Sequence, residues 1–480
     1  MNIRYVIHWL GKILLLEALF FLLPLTVSFL YKEDLLGSWF LCVLIVLVVG
    51  TLLTRVKPLS EAMYAREGLS LTALSWIFLS IFGALPFLLT GTIPSFTDAF
   101  FETVSGFTTT GASILQEVES LPHSILFWRS FTHFIGGMGV LVFALAIMPR
   151  VNRRSIHVLR AESPGPEVGK LVNRLGNTAR ILYKMYMALT VVQIVLLLAG
   201  GMPFFDSVLI AFGSAGTGGF GIKNTSMAYY NSPYLDMVVG TFIILFGVNF
   251  NMYYFLLMRE TKLVYKNDEL RVYLGIIVVA TIAIALSIAP MYAQDWKAWL
   301  DSYFQVASII TTTGYTTADF NTWPAFARAM LLLLMFIGAS AGSTGGGFKV
   351  SRVVILWKGG VEALRRSIQP NRVKPPLIGS KPIPDSLMKS VGLYLFVYLL
   401  IFVVAVLLLS LDDLDLITSF SAVAATFNNI GPGLGAVGPM ENFGRLSPWA
   451  KHLLSLCMLL GRLEIFPILV LFVPQNWRRN

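Results

Sequence analysis

The residues best placed to do chemistry in this 480-residue chain are neither nucleophiles nor metal ligands. They are hydroxyls and glycines set among apolar residues. Residues 107–113 read FTTTGAS; TTTG recurs at 311–314, GTGG stands at 216–219 and NNIG at 428–431. β-Branched Thr favours extended backbone, and Gly reaches φ values closed to other residues. A segment built from both can turn its carbonyl oxygens toward one axis and replace the hydration shell of a cation. For any single copy the competing reading is a tight turn capped by threonines. Groups for bond-making chemistry are sparse: five scattered histidines and no HExxH or paired-carboxylate motif. Cys42 and Cys457 each lie inside an apolar run, without metal or redox spacing, and read as buried structural residues. A membrane-embedded enzyme, such as a lipid-modifying transferase, would need clustered His, Asp, Glu or Cys near one membrane face.

These segments must be positioned by something that recurs. Four stretches align by hand: SFTDAFFETVSGFTTTGAS (95–113), FFDSVLIAFGSAGTGGFGIKN (204–224), WLDSYFQVASIITTTGYTTADF (299–320) and LDLITSFSAVAATFNNIGPGLG (414–435). Each runs from a short apolar stretch into a Gly-containing polar segment, and the copies follow one another at intervals of about a hundred residues. With Gly111, Gly219, Gly314 and Gly431 in one column, Asp98, Asp206, Asp301 and Thr418 fall together at one shared upstream offset. Asp and Thr are N-cap residues, so each copy predicts a cap, two to three turns of helix and the glycine segment. In the second copy Gly218 competes with Gly219 for the column. Gly219–Phe220 pairs better with Gly314–Tyr315, and Gly219 is chosen.

The setting is a membrane. The chain is 56% hydrophobic and 13% charged, with a mean hydropathy of +0.73. Soluble domains average about 45–50% apolar and about 25% charged. Ten apolar spans are read at roughly 9–30, 36–54, 69–90, 124–148, 182–200, 234–257, 272–292, 326–348, 390–411 and 449–473. No small-residue cleavage site follows the first, so no removable signal peptide is expected. One set of loops carries Arg55, Lys57 and Arg66, then Arg150 to Arg180, then Arg259 to Arg271, then Lys349, Arg352 and Lys358 to Lys389, then Arg478 and Arg479. The opposite loops carry Asp98, Glu102, Glu117, Glu119, Asp295, Asp301, Asp412, Asp413 and Asp415. Basic loops face the cytoplasm, so both termini are expected there. The formal net charge of +10 is then a topological signature rather than a mark of nucleic-acid binding.

Each unit reads as span, re-entrant half-helix, extended segment, span. A half-helix entering from outside aims the negative end of its dipole at the membrane centre, which favours a cation there. Irregular backbone at that depth survives only inside protein or lining water. All four units enter from one side, unlike an inverted-repeat transporter that binds an organic solute at the midplane.

Two further stretches stand out. GASAGSTGGGFKVSR (338–352) breaks its span, and Gly345, Gly346 and Gly347 should face a cavity; close helix packing by small residues is the alternative. A phosphate-binding loop does not fit, since Phe348 interrupts its pattern. GRLEIFPIL (461–469) places Arg462 and Glu464 inside the last span, too close in sequence to face each other on a helix. Arg462 reads either as an electrostatic barrier or as a structural partner of a carboxylate or of broken-helix carbonyls. Asn249, Asn251 and His133 read as interhelical hydrogen-bonding residues. The basic, proline-containing stretch 358–389 reads as a linker or a docking face for an acidic partner.

FTTTGAS, TTTGYTTADF and NNIGPGLG resemble the pore-loop sequences of the Trk/Ktr/HKT potassium transporter superfamily, over the whole chain after about residue 68. The total length and the two additional N-terminal spans look like its TrkH/TrkG type. The resemblance implies an all-α polytopic membrane protein: four span–pore helix–span repeats around a pseudo-four-fold pore, plus two extra N-terminal transmembrane helices. The expected units are 1–68 for the two-helix extension, 69–180, 181–271, 272–389 with an intramembrane gate loop, and 390–480.

Carried over residue by residue, the family's potassium filter falls on Thr108, Thr109, Thr110 and Gly111; on Gly216, Thr217, Gly218 and Gly219; on Thr311, Thr312, Thr313 and Gly314; and on Asn428, Asn429, Ile430 and Gly431. A glycine at 111, where sodium-preferring relatives carry serine, implies potassium selectivity. The second and fourth copies depart from the threonine pattern, so the four-fold axis is approximate. The resemblance further implies a gate formed by Gly345–Gly347 and Arg462, a bacterial cytoplasmic membrane, a homodimer, and a cytosolic TrkA-type nucleotide-binding regulatory subunit. It implies no organic cofactor, and it leaves channel-like flux and proton- or sodium-coupled symport both open.

Overall fold

The computed structural model describes residues 1–58, 64–139, 175–371, 374–379 and 381–477. It consists almost wholly of helices. Among the described residues six helices are long and apolar enough to cross a bilayer: Ile3–Leu30, Leu36–Thr54, Ala65–Leu89, Arg180–Ala199, Asp268–Met291 and Asp385–Asp412. Their burial differs with position. In the strongest window of Ala65–Leu89, 61% lies inside the protein, against 22% for Leu36–Thr54, which therefore offers most of its surface to lipid.

After the first two long helices one order recurs. Each of the other four is followed by a short helix, a non-helical segment and a second short helix. The first short helices are Phe96–Phe107, Phe204–Gly216, Asp295–Ile310 and Leu416–Phe427. The second are His123–Gly137, Pro233–Phe246, Ala325–Ile337 and Pro448–Arg462, none longer than 15 residues. At 1.5 Å per residue none of these second helices reaches across a core of about 30 Å.

This corrects four of the ten expected spans. The 234–257 span is bent by 89° between Phe246 and Phe250. The 326–348 span is helical only to Ile337, where Gly338 turns the chain at φ +72°. The 449–473 span breaks at Leu463–Ile465, with Glu464 and Ile465 both at positive φ. Pro467 lacks an N–H, and its ring would clash with the carbonyl of Leu463 in a continuous helix, so that break is written in the sequence. The 124–148 span is helical to Gly137, and its part beyond residue 139 lies outside the described residues. Hydropathy sums composition and does not see these interruptions. The basic residues at 150–174, Arg372, Arg478 and Arg479 also lie outside the described residues.

The expected cap column is displaced. Ser95 and Asp415 are the N-caps of the first and fourth short helices, accepting from the backbone N–H groups of Asp98 (3.5 Å) and Thr418 (3.1 Å). Asp98 and Thr418 thus stand at the third position of the first turn and donate to the cap rather than being caps themselves. The hydroxyl of Thr418, and then its backbone N–H, hold the exposed Asp415 carboxyl below the usual carboxylate range. Pro203 precedes the second helix without a side-chain cap, and the third starts at Asp295, which leaves Asp301 inside it.

Stretch 358–389 is not simply a linker. Its start belongs to the Val350–Ile368 helix, and Leu377–Ile378 pairs antiparallel with Lys381–Pro382. Asp268 ties both together, accepting from Lys358 Nζ at 2.5 Å and from the Gly379 N–H at 2.8 Å.

The two N-terminal long helices are held by a glycine contact. A Cβ on Gly11 would stand 2.7 Å from the carbonyl oxygen of Gly50 and from the backbone N of Thr54. Gly11→Val should therefore force the helices apart and cost about 1–3 kcal/mol. A lowered unfolding temperature in detergent, compared with an exposed control such as Gly37→Ala, checks this.

Candidate functional site

The four polar segments share a backbone, and helix termination explains it. In each, the residue two before the column glycine is left-handed: Thr109 at φ 56°, Thr217 at 52°, Thr312 at 59° and Asn429 at 56°. Their N–H groups donate three residues back, to Gly106, Ser214, Ile309 and Thr426, at 3.0–3.2 Å. The next residues, Thr110, Gly218, Thr313 and Ile430, donate five back, to Ser105, Gly213, Ser308 and Ala425, at 2.8–2.9 Å. This is the Schellman termination, four times over. The left-handed residue is usually Gly; here it is Thr three times and Asn once, at a local cost of about 1–2 kcal/mol each. Hydroxyls or an amide are thereby kept at the ends of four helices whose negative dipole ends meet.

The column glycines come next, all at positive φ: Gly111 at 79°, Gly219 at 75°, Gly314 at 87° and Gly431 at 98°. Gly218 is not among the positive-φ residues, so Gly219 is the backbone counterpart in the second segment. Each glycine lies against a carbonyl of the next segment. A Cβ on Gly111 would strike Gly218 O, one on Gly219 would strike Thr313 O, and one on Gly314 would strike Ile430 O. One on Gly431 would stand 2.8 Å from Thr110 O. The contacts run from first to second to third to fourth and back to first, a closed ring.

Side chains brace the ring. The Thr108 and Thr110 hydroxyls lie 2.8 Å apart and those of Thr311 and Thr313 2.7 Å apart. Thr108 and Thr311 donate back to Val104 O and Ala307 O, each at 2.7 Å. In the fourth segment Asn428 Nδ2 donates to Ala424 O at 2.9 Å, and its Oδ1 accepts from Tyr398 OH at 2.7 Å. Asn429 Nδ2 donates to Thr110 Oγ1 and to Met458 O, each at 2.9 Å, joining the fourth segment to the first. The two asparagines thus replace hydroxyl contacts. His133 bonds across elements as expected: its ring stacks on Phe220 at 4.2 Å and Nδ1 accepts from the Phe220 N–H at 3.4 Å. Asn249 caps Phe250–Leu257, accepting from the Asn251 N–H at 2.9 Å, and its side chain also hydrogen-bonds Glu269 on the following long helix, as expected.

Residues 338–349 form a non-helical loop packed against this ring. The Gly346 N–H donates to Thr312 Oγ1 at 2.6 Å, and Thr344 Oγ1 donates to Phe246 O at 3.2 Å. A Cβ on Gly345 would stand 2.7 Å from Thr311 O, and one on Gly346 would strike Asn428 O. Ala341 N–H donates to Glu269 Oε1 at 2.6 Å. Arg462 reaches the same place. It donates to Thr344 O at 2.8 Å, Gly137 O at 2.8 Å, Gly136 O, and Thr109 Oγ1 at 3.3 Å. The carbonyls of the broken 123–137 helix and of the loop therefore hold Arg462. Glu464 instead pairs with Arg352 at 2.6 Å.

Several charges do not sit where the positive-inside reading puts them, Asp301 inside its helix among them. Lys349 is 1% exposed and donates to Gly345 O, and Arg352 is 5% exposed. Neither is a solvated loop cation. Glu102, expected in an outer loop, is buried in its helix and paired with Arg129 at 2.8 Å.

A multi-pass helical membrane protein whose short helices converge on a ring of backbone carbonyls and hydroxyls, with no covalent machinery implied, belongs among proteins that pass ions. Residues 39–479 match the family model TrkH, described as a cation transport protein, and the chain belongs to that family. The family's proteins are transporters, not enzymes. The Trk system potassium uptake protein TrkH of Salmonella typhimurium is 35% identical over 484 residues, covering 100% of both chains. TrkG of Escherichia coli, another Trk system potassium uptake protein, is 34% identical with 99% of each covered. The crystal structure of the potassium transporter TrkH from Vibrio parahaemolyticus superposes with a TM-score of 0.90 over 100% of both chains, at 34% identity.

Removing Arg352 should strand Glu464 without its partner. Arg352→Met is expected to cost about 3 kcal/mol, at the lower end for a broken buried pair because Glu464 keeps some exposure. The double variant Arg352→Met with Glu464→Leu should recover part of the loss in the same thermal unfolding measurement.

Proposed function

We propose that this protein takes up potassium ions across a bacterial cytoplasmic membrane, through a path on the axis of four span–pore helix–span repeats. The two N-terminal helices stand outside the repeats, as the units 1–68, 69–180, 181–271, 272–389 and 390–480 describe, with both termini cytoplasmic. The closed ring of Gly111, Gly219, Gly314 and Gly431, each against its neighbour's carbonyl, carries this reading.

In this reading the selectivity filter is Thr108–Gly111, Gly216–Gly219, Thr311–Gly314 and Asn428–Gly431. Backbone oxygens replace the hydration shell of the ion, and four helix C-termini lower the energy of a positive charge there. Below the filter the loop holding Gly345–Gly347 closes the path. Arg462 adds a fixed positive charge that opposes a cation until the loop and the broken-helix carbonyls rearrange. Lys349 and the Thr312 hydroxyl hold the loop in its closed position. No bond is made or broken. Assembly as a homodimer on a cytosolic TrkA-type nucleotide-binding subunit fits relatives whose names place them in a Trk system.

Rubidium-86 uptake into proteoliposomes of the purified protein, with potassium and sodium as competitors, tests the whole. Potassium should block uptake far better than sodium. Absence of uptake even with the regulatory subunit added would overturn the reading.

Two variants probe its parts. At Gly111 a serine would have to hold φ near +79° with its Cβ against Gly218 O, so the ring must open. Gly111→Ser should weaken discrimination against sodium about tenfold or more, as the loss of about 1.4 kcal/mol of differential binding would. An unchanged competition ratio would count against the filter. Arg462→Ala should raise uptake several-fold with the protein still folded. Loss of folded protein would instead make Arg462 a structural tie for the carbonyls it now satisfies.

A further inference from the structure

We infer that Glu102 and Arg129 are positioning residues for ion selectivity, forming a buried strap that fixes the outer ends of the first and second filter segments. This rests on the filter reading above. Glu102 lies in the Phe96–Phe107 helix and Arg129 in the His123–Gly137 helix, at 1% and 2% exposure. Arg129 Nε and its terminal nitrogen both donate to Glu102 Oε1, at 2.9 and 2.8 Å.

The pair grips backbone just beyond the ring. Glu102 Oε2 accepts from the Ile114 N–H at 3.0 Å, and both its oxygens lie within 3.1 Å of Ser113 Oγ. These residues follow Gly111 by two and three. Arg129 donates to Gly221 O at 3.2 Å and to Ser113 Oγ at 3.3 Å, and its guanidinium carbon lies 4.2 Å from the Phe220 ring centroid. Phe220 and Gly221 follow Gly219 by one and two. One guanidinium fork thus spans two neighbouring segments.

The second segment needs this help. Glu102 stands nine residues before its column glycine; the equivalent positions are Ile210, Gln305 and Ala422. The third segment has its own ties, Ser308 Oγ to Tyr315 O at 2.6 Å and Thr317 Oγ1 to Asp301 at 2.8 Å. The fourth has Leu434 N–H to Ser421 Oγ at 2.9 Å and Ala436 N–H to Thr418 Oγ1 at 3.0 Å. The second offers an apolar Ile210 and glycines at 216, 218, 219 and 221. Directly after its column glycine it is held by the first unit, through Arg129 and His133, and farther on by Thr316 of the third segment. A buried ion pair is a poor source of stability, because desolvation offsets its attraction; its use is to specify one geometry. Lys cannot replace Arg here, since a point charge cannot span the fork's acceptors.

The charge balance matters as well. Arg129 lines the outer cavity together with Gly111, Gly219, Gly314 and Gly431. Glu102 neutralises it. Removing that carboxylate would leave a cation facing the entry of cations.

The test is rubidium uptake in proteoliposomes with sodium and potassium competition, alongside thermal unfolding, for Arg129→Lys, Glu102→Gln, Ser113→Ala and Gly111→Ser. Arg129→Lys should keep uptake while shifting the sodium-to-potassium competition ratio about fivefold, the factor set by one lost hydrogen bond. Glu102→Gln should shift the ratio and also slow uptake at low ionic strength, with added inert salt restoring part of the rate. Ser113→Ala leaves both charges paired and should shift the ratio in the same direction, so it serves if Arg129→Lys does not fold. If Gly111→Ser shifts the ratio while Ser113→Ala and the folded charge variants leave it unchanged, the strap is only structural and the inference is overturned. If Gly111→Ser leaves it unchanged too, the filter reading itself has failed.

Discussion

A helix that stops inside a membrane leaves its last carbonyls and the following N–H groups without water to turn to, and everything in this protein follows from how that debt is settled. The four short helices all stop with the same pair of bonds, three and five residues back. That termination requires a left-handed residue, and two residues beyond it each segment carries a glycine at positive φ. Glycine in turn permits the next segment's carbonyl to lie against it, and the ring closes. Where three of the second short helices stop, at Gly137, Phe246 and Ile337, the freed carbonyls are taken by the 338–349 loop and by the Arg462 guanidinium. The ring and the 338–349 loop packed against it are therefore two solutions to one solvation problem.

Much of this is legible in the sequence because it rests on local backbone chemistry. The glycine column and the choice of Gly219 over Gly218 depend on which residues tolerate positive φ, a property of residue type. The breaks in the 326–348 and 449–473 spans carry visible marks, Gly338 and Pro467. The caps lie three residues before the shared column, since Asp98 and Thr418 resemble caps in type but Ser95 and Asp415 hold the side chain that accepts from the first turn. What sequence hides is partnership. Lys349 and Arg352 look like loop cations until the loop is seen to fold back under the ring. Arg129 sits inside an apolar run just as Arg462 does, and the rule that an intramembrane charge signals function applies to both. Its partner Glu102 lies 27 residues away on another helix, a distance no periodicity reports.

The four segments are alike in backbone and unlike in support. Threonine hydroxyl pairs brace the first and third, asparagine amides the fourth, and the first unit's arginine and histidine the second. Equivalent backbone geometry thus coexists with private side-chain solutions, which is why the threonine pattern can lapse in two copies without the ring losing its shape.

The contact between Asn429 and Thr110 has a consequence for how the molecule is made. It spans 319 residues of chain, and the ring's closing contact, Gly431 against Thr110, lies beside it. Ribosomal synthesis delivers the first segment long before the last. Until residues 428–431 are in the bilayer, the Thr110 side of the ring faces an open gap, and the ring itself does not yet exist. The entropy of closing so long a loop grows only logarithmically, so the delay costs little in stability. What it does is order events in time: the ring cannot close until residues 428–431, close to the end of the chain, have been inserted.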